Sequence, residues 1–203
     1  MKTSLLIMWG RSMIRFALIL TCTFQAESLC GQTVYTAIHS QIVVTGKSNV
    51  RTWELTSQKA KCSAEFNFSG SNLNSIKAIT FSVAVKDLKG HTPLMEKRAH
   101  KALKAYPYEN ITYTGKVIKI SGLEIKKQLI RTEGNLRIAG TTRILSIPVT
   151  AAIQEDGTIT CTGSTSIRMS DFKVRLPQVL IESMEIGNTV NVDFKFIFDR
   201  SEI

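Results

Sequence analysis

Much of this chain alternates apolar and polar residues, a pattern typical of half-buried β-strands. Apolar side chains occupy every second position in residues 145–153, and the alternation resumes in residues 159–169 after Asp156-Gly157, a dipeptide typical of tight turns. The two runs predict a β-hairpin. Antiparallel ribbons with one apolar face either stack as a sandwich or close on themselves, and only closure leaves no exposed strand edge.

Turn signals divide the chain into eight predicted strands. Their ranges are 34–45, 50–68, 76–88, 111–120, 123–139, 143–154, 158–169 and 189–198. In the first strand the alternation of apolar and polar residues shifts by one position at His39-Ser40, which predicts a β-bulge. A small closed barrel of this kind holds one apolar ligand or fills its interior with side chains, so the strand pattern raises a binding hypothesis.

One helix is predicted, over residues 94–105, between the third and fourth strands. Thr92 suits the N-cap and Pro93 the first helical position. The apolar stripe, spaced at i, i+4, i+7 and i+8, consists of Met95, Ala99, Ala102 and Leu103. Such a helix buries its stripe against the barrel wall or across the barrel mouth, as a plug or a lid. The opposite face carries Lys97, Arg98, Lys101 and Lys104, either a solvated face or one that attracts an anionic head group or a membrane surface.

Residues 1–31 are predicted to be a signal peptide. Basic residues precede a short apolar run at 16–20, and less apolar residues follow. That run is too short for a transmembrane helix. Translation from Met13 would give a more compact signal, and cleavage is expected after Gly31, with Ala26 as the alternative. The mature domain is then residues 32–203, one domain by length.

The charge of the chain does not favour nucleic-acid binding. The net charge is +10, and it falls to +8 when the three basic residues and one acidic residue of the predicted signal are removed. The basic residues are spread along polar faces instead of clustering with aromatic side chains, the arrangement that nucleic acid requires. The positive charge therefore indicates solubility and no nucleic-acid partner.

Two cysteines, Cys62 and Cys161, remain in the predicted mature chain, both on the apolar parity of their strands. A disulfide between them would close a loop of about a hundred residues and stabilise the fold by about 4–5 kcal/mol on the loop-entropy model. Unpaired, they would pack as small hydrophobic residues. The pattern favours unpaired thiols, because nothing in it places the two strands side by side. Neither cysteine belongs to a metal-ligand motif.

Six short motifs in order resemble the YceI-like family. They are Tyr35-x-x-x-His39-Ser40; Ser48-x-x-x-x-Trp53-Glu54-Leu55; Met95 with Leu103-Lys104-Ala105 and Ile111-Thr112-Tyr113; Gly134-x-Leu136-x-Ile138-x-Gly140-Thr141-Thr142; Gly163-x-x-x-Ile167-x-Met169-Ser170-Asp171-Phe172-Lys173-Val174-x-x-Pro177; and Ile186-Gly187-x-x-Val190-x-Val192-x-Phe194. Together they cover essentially the whole predicted mature chain.

The resemblance implies an all-β fold: an eight-stranded, antiparallel, up-and-down, lipocalin-like barrel with one short helix in the connection after the third strand. It also implies a bacterial protein exported to the periplasm or secreted, which binds a long polyisoprenoid chain in its lumen. The chain departs from the family pattern near the helix. Lys97-Arg98-Ala99-His100 stands where many members have Arg-Asp-x-His-Leu, and Glu109 stands where they have proline. These departures concern the barrel mouth, where a head group would be held.

The candidate lipid-binding residues are the apolar side chains predicted to face the lumen. They are Phe66, Phe68, Phe81, Val83, Tyr113, Leu136, Ile138, Ile147, Val149, Phe194 and Phe196. Aromatic residues cluster on the second, third and last strands. The fifth to seventh strands offer the small residues Ala139, Ala151, Gly163 and Thr165, which are expected to leave room in the lumen.

Two functions follow from these predictions. The first is an exported protein that holds a long apolar lipid, such as a polyisoprenoid, in the lumen without chemistry and without a further cofactor. The second is a structural or stress-related periplasmic protein with a packed lumen that acts through its surface. An enzyme is not expected, because His39, His91 and His100 have no nucleophile signature beside them. The identity of the lipid and the oligomeric state do not follow from the sequence.

Overall fold

The structure is a computed structural model that describes residues 33–69, 72–124, 126–175 and 186–199. The predicted signal peptide lies outside the described residues. The described elements in chain order are β1 (Thr33–Ser48), β2 (Thr52–Ser57), β3 (Lys61–Ser69), β4 (Asn72–Ala84), a 3-10 turn (Val85–Asp87), β5 (Lys89–Gly90), α1 (Pro93–Ala102), β6 (Asn110–Glu124), β7 (Lys127–Ile138), β8 (Thr141–Ile153), β9 (Ile159–Arg168), a second 3-10 turn (Met169–Phe172) and β10 (Ile186–Phe198).

The strands form one closed antiparallel sheet. From β6 to β10 each strand pairs with the next in sequence, and β10 pairs back onto β1 over the register Ala37↔Phe198 to Ser48↔Ile186. On its other edge β1 pairs with β3 near its start and with β2 near its end. The segments β2 with β3, and β4 with β5, each act as one interrupted strand, so the barrel has eight strands. The predicted up-and-down barrel, with its helix after the third strand, is confirmed.

Several local predictions are also confirmed. The register between β1 and β10 shifts between Ala37 and His39, where the bulge was expected. The β8–β9 hairpin turns at Asp156-Gly157, with Gly157 at φ +86°, a left-handed conformation that glycine adopts without a steric penalty. Met95, Ala99 and Ala102 are half-buried and Leu103 is buried, as the predicted apolar stripe requires.

Some predicted boundaries are wrong for identifiable reasons. The long strand 50–68 is interrupted between Ser57 and Lys61, although both of its parts pair with β1 in the same register. Ser121-Gly122 resembles a turn in sequence, yet β6 continues to Glu124 because β7 is long enough to pair with it. Helix α1 ends at Ala102 and not at residue 105, since Lys104 adopts a left-handed conformation at φ 54°.

Two apolar clusters occupy opposite ends of the barrel. One is centred on Tyr35, Phe66 and Phe198, whose rings meet edge to face at centroid distances of 5.3 Å and 5.2 Å. These residues lie near the start of β1, the end of β3 and the end of β10. The second cluster lies beneath α1 and includes Leu88, Leu103 and Phe172. The cavity between the clusters is therefore packed closed at the aromatic end and covered by the helix at the other.

Candidate functional site

The barrel encloses an apolar cavity of about 350 Å³. Its wall consists mainly of aliphatic and aromatic side chains from strands all around the barrel, with the apolar face of α1 on top. Pockets for small molecules typically span about 300–1,000 Å³, and this cavity falls at the lower end of that range. The interior is therefore hollow and has the composition of a site for an apolar ligand.

The cavity opens at the end covered by α1. Among its lining residues, the exposed ones are Arg51, Thr92 and Leu94, all at this end. Arg51 lies in the turn between β1 and β2, while Thr92 and Leu94 lie at the start of α1. We call this opening the mouth and define it by Arg51, Trp53, Thr92, Leu94, Arg98 and Ile186. A ligand entering there would pass the helix first.

Ten of the eleven predicted lipid-binding residues line this cavity. They are Phe66, Phe81, Val83, Tyr113, Leu136, Ile138, Ile147, Val149, Phe194 and Phe196. The side chain of Phe68 lies outside the described part of the structure. The period-2 pattern thus identified the inner face of the barrel, whereas contact of these residues with a lipid remains a prediction.

The expectation that small residues leave room is wrong at Gly163. Phe194 pairs with Gly163 across β9 and β10, and a Cβ atom on Gly163 would overlap the Phe194 ring. The space beside the glycine is therefore filled by the Phe194 ring and not by a ligand. Thr165 does line the cavity, while Ala139 and Ala151 are buried in the two apolar clusters.

A hydrogen-bonded chain crosses the apolar wall of the cavity. The Thr132 hydroxyl donates to the Ile147 carbonyl oxygen at 3.1 Å, so the Tyr113 hydroxyl, 2.9 Å away, must donate to Thr132 Oγ1. Burial raises the pKa of Tyr113, and the hydrogen bond to Thr132 opposes that increase. Thr132 is not among the residues predicted from the sequence, although it shares the inward parity of Ile130 and Leu136 on β7. The two hydroxyls are satisfied within the wall and do not require a polar ligand.

Cys62 and Cys161 also line the cavity, and both thiols are free. Their strands, β3 and β9, are not neighbours in the sheet. Burial raises the pKa of each thiol to about 12. The favoured prediction of unpaired cysteines is confirmed, and both thiols are protonated near neutral pH.

Polar contacts fix helix α1 over the mouth. Thr92 Oγ1 caps it by accepting from the Met95 N–H at 3.3 Å. The Glu96 carboxylate accepts from the Gly90 N–H and from Lys89 Nζ, both at 3.3 Å. The His100 Nε2–H donates to the Leu88 carbonyl oxygen at 3.0 Å. These bonds join the helix to the strand segment before it, so its position does not depend on apolar packing alone.

The basic residues of α1 divide into two groups. Lys97, Lys101 and Lys104 are exposed, whereas Arg98 is half-buried and lines the cavity. Arg51, which is not among the residues predicted from the sequence, lines the mouth as well. It lies in a turn, where neither strand parity nor helical periodicity predicts the direction of a side chain. In the described part of the chain, neither arginine side chain has an ion pair or hydrogen bond, and no carboxylate lines the cavity.

The three histidines do not converge on the cavity. His39 and His91 are exposed, and His100 is bonded to the backbone of Leu88. Over the ranges that the structure describes, no group of three or more His, Cys, Asp or Glu side chains could hold a metal ion. The helices within those ranges also lack the length and apolarity needed to cross a membrane.

The closed eight-stranded barrel, its helical cover and its apolar cavity define a lipocalin-like fold with a central binding cavity. The family model described as the YceI-like domain matches residues 34–198, and the chain belongs to that family. The match spans all ten strands. No curated protein sequence matches the chain significantly.

Two solved structures share the fold. One is BcnA of Burkholderia cenocepacia, 20% identical, with a TM-score of 0.62 over 78% of this chain and 95% of that one. The other is a polyisoprenoid-binding domain from Saccharophagus degradans implicated in plant cell wall breakdown, 13% identical, with a TM-score of 0.61 over 81% of this chain and 97% of that one. At these identities the likeness shows the shared fold.

Proposed function

We propose that this protein binds a long apolar lipid of the polyisoprenoid type inside its barrel and performs no chemistry on it. The apolar cavity of about 350 Å³, open at one end, carries the proposal. Burial of a methylene group contributes about 0.8 kcal/mol before the cost of immobilising the chain, so a lipid needs no polar contact to bind tightly. The polyisoprenoid-binding domain from Saccharophagus degradans, which shares the fold, supports this ligand class.

The alternative, a structural protein with a packed lumen, receives less support. A packed barrel would fill its interior with side chains, and here a cavity remains. The dispersed histidines likewise favour binding over catalysis. The lipid itself is the only bound group proposed, without a further cofactor.

The proposal includes export to the periplasm or secretion after cleavage of residues 1–31. It rests on the order of residue types at the start of the chain, where basic residues precede a short apolar run and less apolar residues follow. Sequencing the amino terminus of the protein from the periplasmic fraction should give a chain that begins near Gln32. A chain that begins at Met1 or Met13 would contradict the cleavage.

A transient contact of the mouth with a membrane surface would allow lipid to be exchanged. Leu94, at the mouth, is 57% exposed, and Val50, beside Arg51, is 66% exposed. Lys97 and Lys101 are exposed on the same helix as Leu94. Apolar side chains next to basic ones suit a surface of anionic lipids, and such attraction weakens with salt over a Debye length of about 8 Å.

Lipid binding is tested by mass spectrometry of an organic extract of the protein, purified from bacteria without detergent. We expect an isoprenoid in near-stoichiometric amount, or uptake of added farnesol or geranylgeraniol by protein isolated without lipid. An unrelated exported protein purified in parallel controls for carry-over of membrane lipid. A folded protein that carries no lipid and takes up neither prenol would refute the proposal.

A further inference from the structure

Strands β8 and β9 separate before they reach the open end of the barrel. Their pairing ends at Val149↔Gly163. Towards the open end, β8 continues to pair with β7, and β9 continues to pair with β10. Residues 141–148 of β8 and 164–168 of β9, all within the described part of the chain, are therefore not paired with each other. We call the gap between these two segments the seam.

Pro148 explains where the seam begins. Its carbonyl oxygen faces β9, because a Cβ atom on Gly163 would lie 2.6 Å from it. The N–H and C=O groups of one residue in an antiparallel strand point to the same side, and proline has no N–H to donate there. Proline occurs within sheets mainly where a strand has a free edge. The sequence itself therefore interrupts the hydrogen-bonded wall at this position.

A second cavity, of about 190 Å³, occupies the seam. Its lining includes the exposed side chains of Ile144 and Ser166 and the more buried side chains of Leu145 and Ile167. Leu145 and Ile167 also line the central cavity. The same two side chains thus stand between the lumen and the seam.

The 3-10 turn Met169–Phe172 bridges the seam, and we call it the latch turn. It follows β9 directly and contacts β8 as well. Arg143 Nε, on β8, donates to the Asp171 carbonyl oxygen at 2.9 Å. Arg168 Nε, on β9, donates to the Asp171 carboxylate at 3.1 Å. Asp171 therefore ties the two sides of the seam together.

The polar contacts that hold the latch turn are exposed. Asn188 of β10 accepts from the Ser170 N–H at 2.9 Å and donates to Ser170 Oγ at 2.8 Å. Exposed hydrogen bonds and ion pairs of this kind each contribute little to stability. Separating β7 from β8 would instead break a ladder whose register runs from Lys127 to Ile138. The wall therefore opens more easily at the seam than between β7 and β8.

We infer that the seam is a lateral gate through which the lipid enters and leaves the lumen, and that the latch turn holds this gate closed. The inference rests on the proposed function and adds the route of the ligand. A chain that passes sideways leaves α1 in place, together with its bonds to Leu88 and Gly90. A gate changes the barrier equally in both directions, so it sets the rates of uptake and release and leaves the equilibrium affinity unchanged.

The first test holds the seam shut with a flexible bismaleimide. Ser146→Cys/Ser166→Cys places two exposed thiols on opposite sides of the seam. Thr150→Cys/Thr162→Cys is the matched control, because it joins the same two strands where they are already paired. Wild-type protein treated in parallel controls for reaction of the buried native thiols, and peptide mapping confirms each crosslink.

Uptake is measured on delipidated protein with a brominated long-chain alcohol, which quenches Trp53 in the cavity wall. We expect the crosslink across the seam to slow both uptake and release about tenfold or more, because the gate can no longer open. The equilibrium affinity should stay within about twofold of wild type, and the control crosslink should change neither rate by more than about twofold.

The second test loosens the latch turn. Asn188→Ala removes both bonds to Ser170 and should raise the rates of uptake and release about threefold at unchanged affinity. Asn191→Ala is the matched control, since Asn191 lies on the same strand and accepts from Ser166 Oγ on the paired side of β9, away from the latch turn. Its rates should stay within about twofold of wild type.

Three results would overturn the inference and leave the proposed function intact. Uptake as fast with the seam crosslinked as in wild type would show that the lipid enters past α1. A crosslink that weakens the equilibrium affinity and leaves the rate of uptake unchanged would make the seam part of the binding site and not a gate. Equal rates for Asn188→Ala and Asn191→Ala would show that the latch turn does not control entry. If folded wild-type protein does not bind the alcohol at all, the proposed function itself fails.

Discussion

A carboxylate at position 194 would place a charge inside the barrel. The Phe194 side chain lines the cavity and lies over Gly163 of β9, with its ring centroid 5.9 Å from that of Phe196. The Tyr113 and Thr132 hydroxyls in the cavity wall are already hydrogen-bonded to each other. A glutamate there would have no charged partner among the described lining residues except the arginines at the mouth.

The cost of Phe194→Glu follows from desolvation of the carboxylate. Burial raises the pKa of a carboxyl group by about 3 units or more above its usual 4.3. At pH 7 a shift of that size lowers the free energy of unfolding by about 3 kcal/mol, and at pH 5 by about 1 kcal/mol. The sign follows from the raised pKa, because the folded state holds a proton that the unfolded state has lost. The variant therefore regains stability as the pH falls from 7 towards 5.

Urea unfolding at pH 7 and pH 5 measures this difference, and mass spectrometry measures retained lipid. The matched control is Thr162→Glu, which adds the same charge beside Gly163 on the exposed outer face of β9. We expect the control to stay within about 0.5 kcal/mol of wild type at both pH values and to retain lipid. The Phe194→Glu variant should be folded at pH 5 and should lose its lipid at pH 7.

Two outcomes would refute this reasoning. A destabilisation of Phe194→Glu that is the same at both pH values would show that its carboxylate is solvated and that the position does not face a closed apolar interior. A folded variant that retains as much lipid at pH 7 as wild type would show that the lumen at this position does not contact the ligand.

Two further predictions concern the lumen thiols and the helix cap. Because burial raises the thiol pKa of Cys62 and Cys161 to about 12, each should lower the free energy of unfolding by about 1.4 kcal/mol per pH unit above pH 9, where the unfolded thiol ionises. Urea unfolding at pH 8 and pH 10 should show this loss in wild type, and a double Cys→Ala variant that loses as much would contradict it. Thr92→Ala removes the bond from the Met95 N–H and should lower stability by about 1 kcal/mol, with Thr92→Ser as the control that retains the cap. Equal denaturation midpoints for the two variants would show that the cap does not stabilise the fold.

Alternation along the chain was sufficient to predict most of the inner wall. Residues two apart in a strand share a face, so the parity of Tyr113, Leu136 or Phe196 indicated the interior before any neighbour was known. The same property would have identified Thr132 if polar residues of inward parity had been included. Helix α1 was predictable for a similar reason, because its cap, its proline and its apolar stripe are all local.

The tertiary structure decided which distant segments meet, because those contacts depend on barrel closure and on pairing between strands far apart in sequence. The partner of β1 is interrupted between β2 and β3, a break with no local signal in the sequence. In the sequence, the small residue Gly163 suggested free space in the lumen. In the structure the ring of Phe194 occupies the space above it, so the glycine permits a side-chain contact instead. Arg51 and Arg98 share one mouth only because the β1–β2 turn and α1 lie at the same end of the barrel. The sequence by itself therefore determined the fold class and the apolar wall, while the closed sheet determined the shape of the cavity and the charge at its entrance.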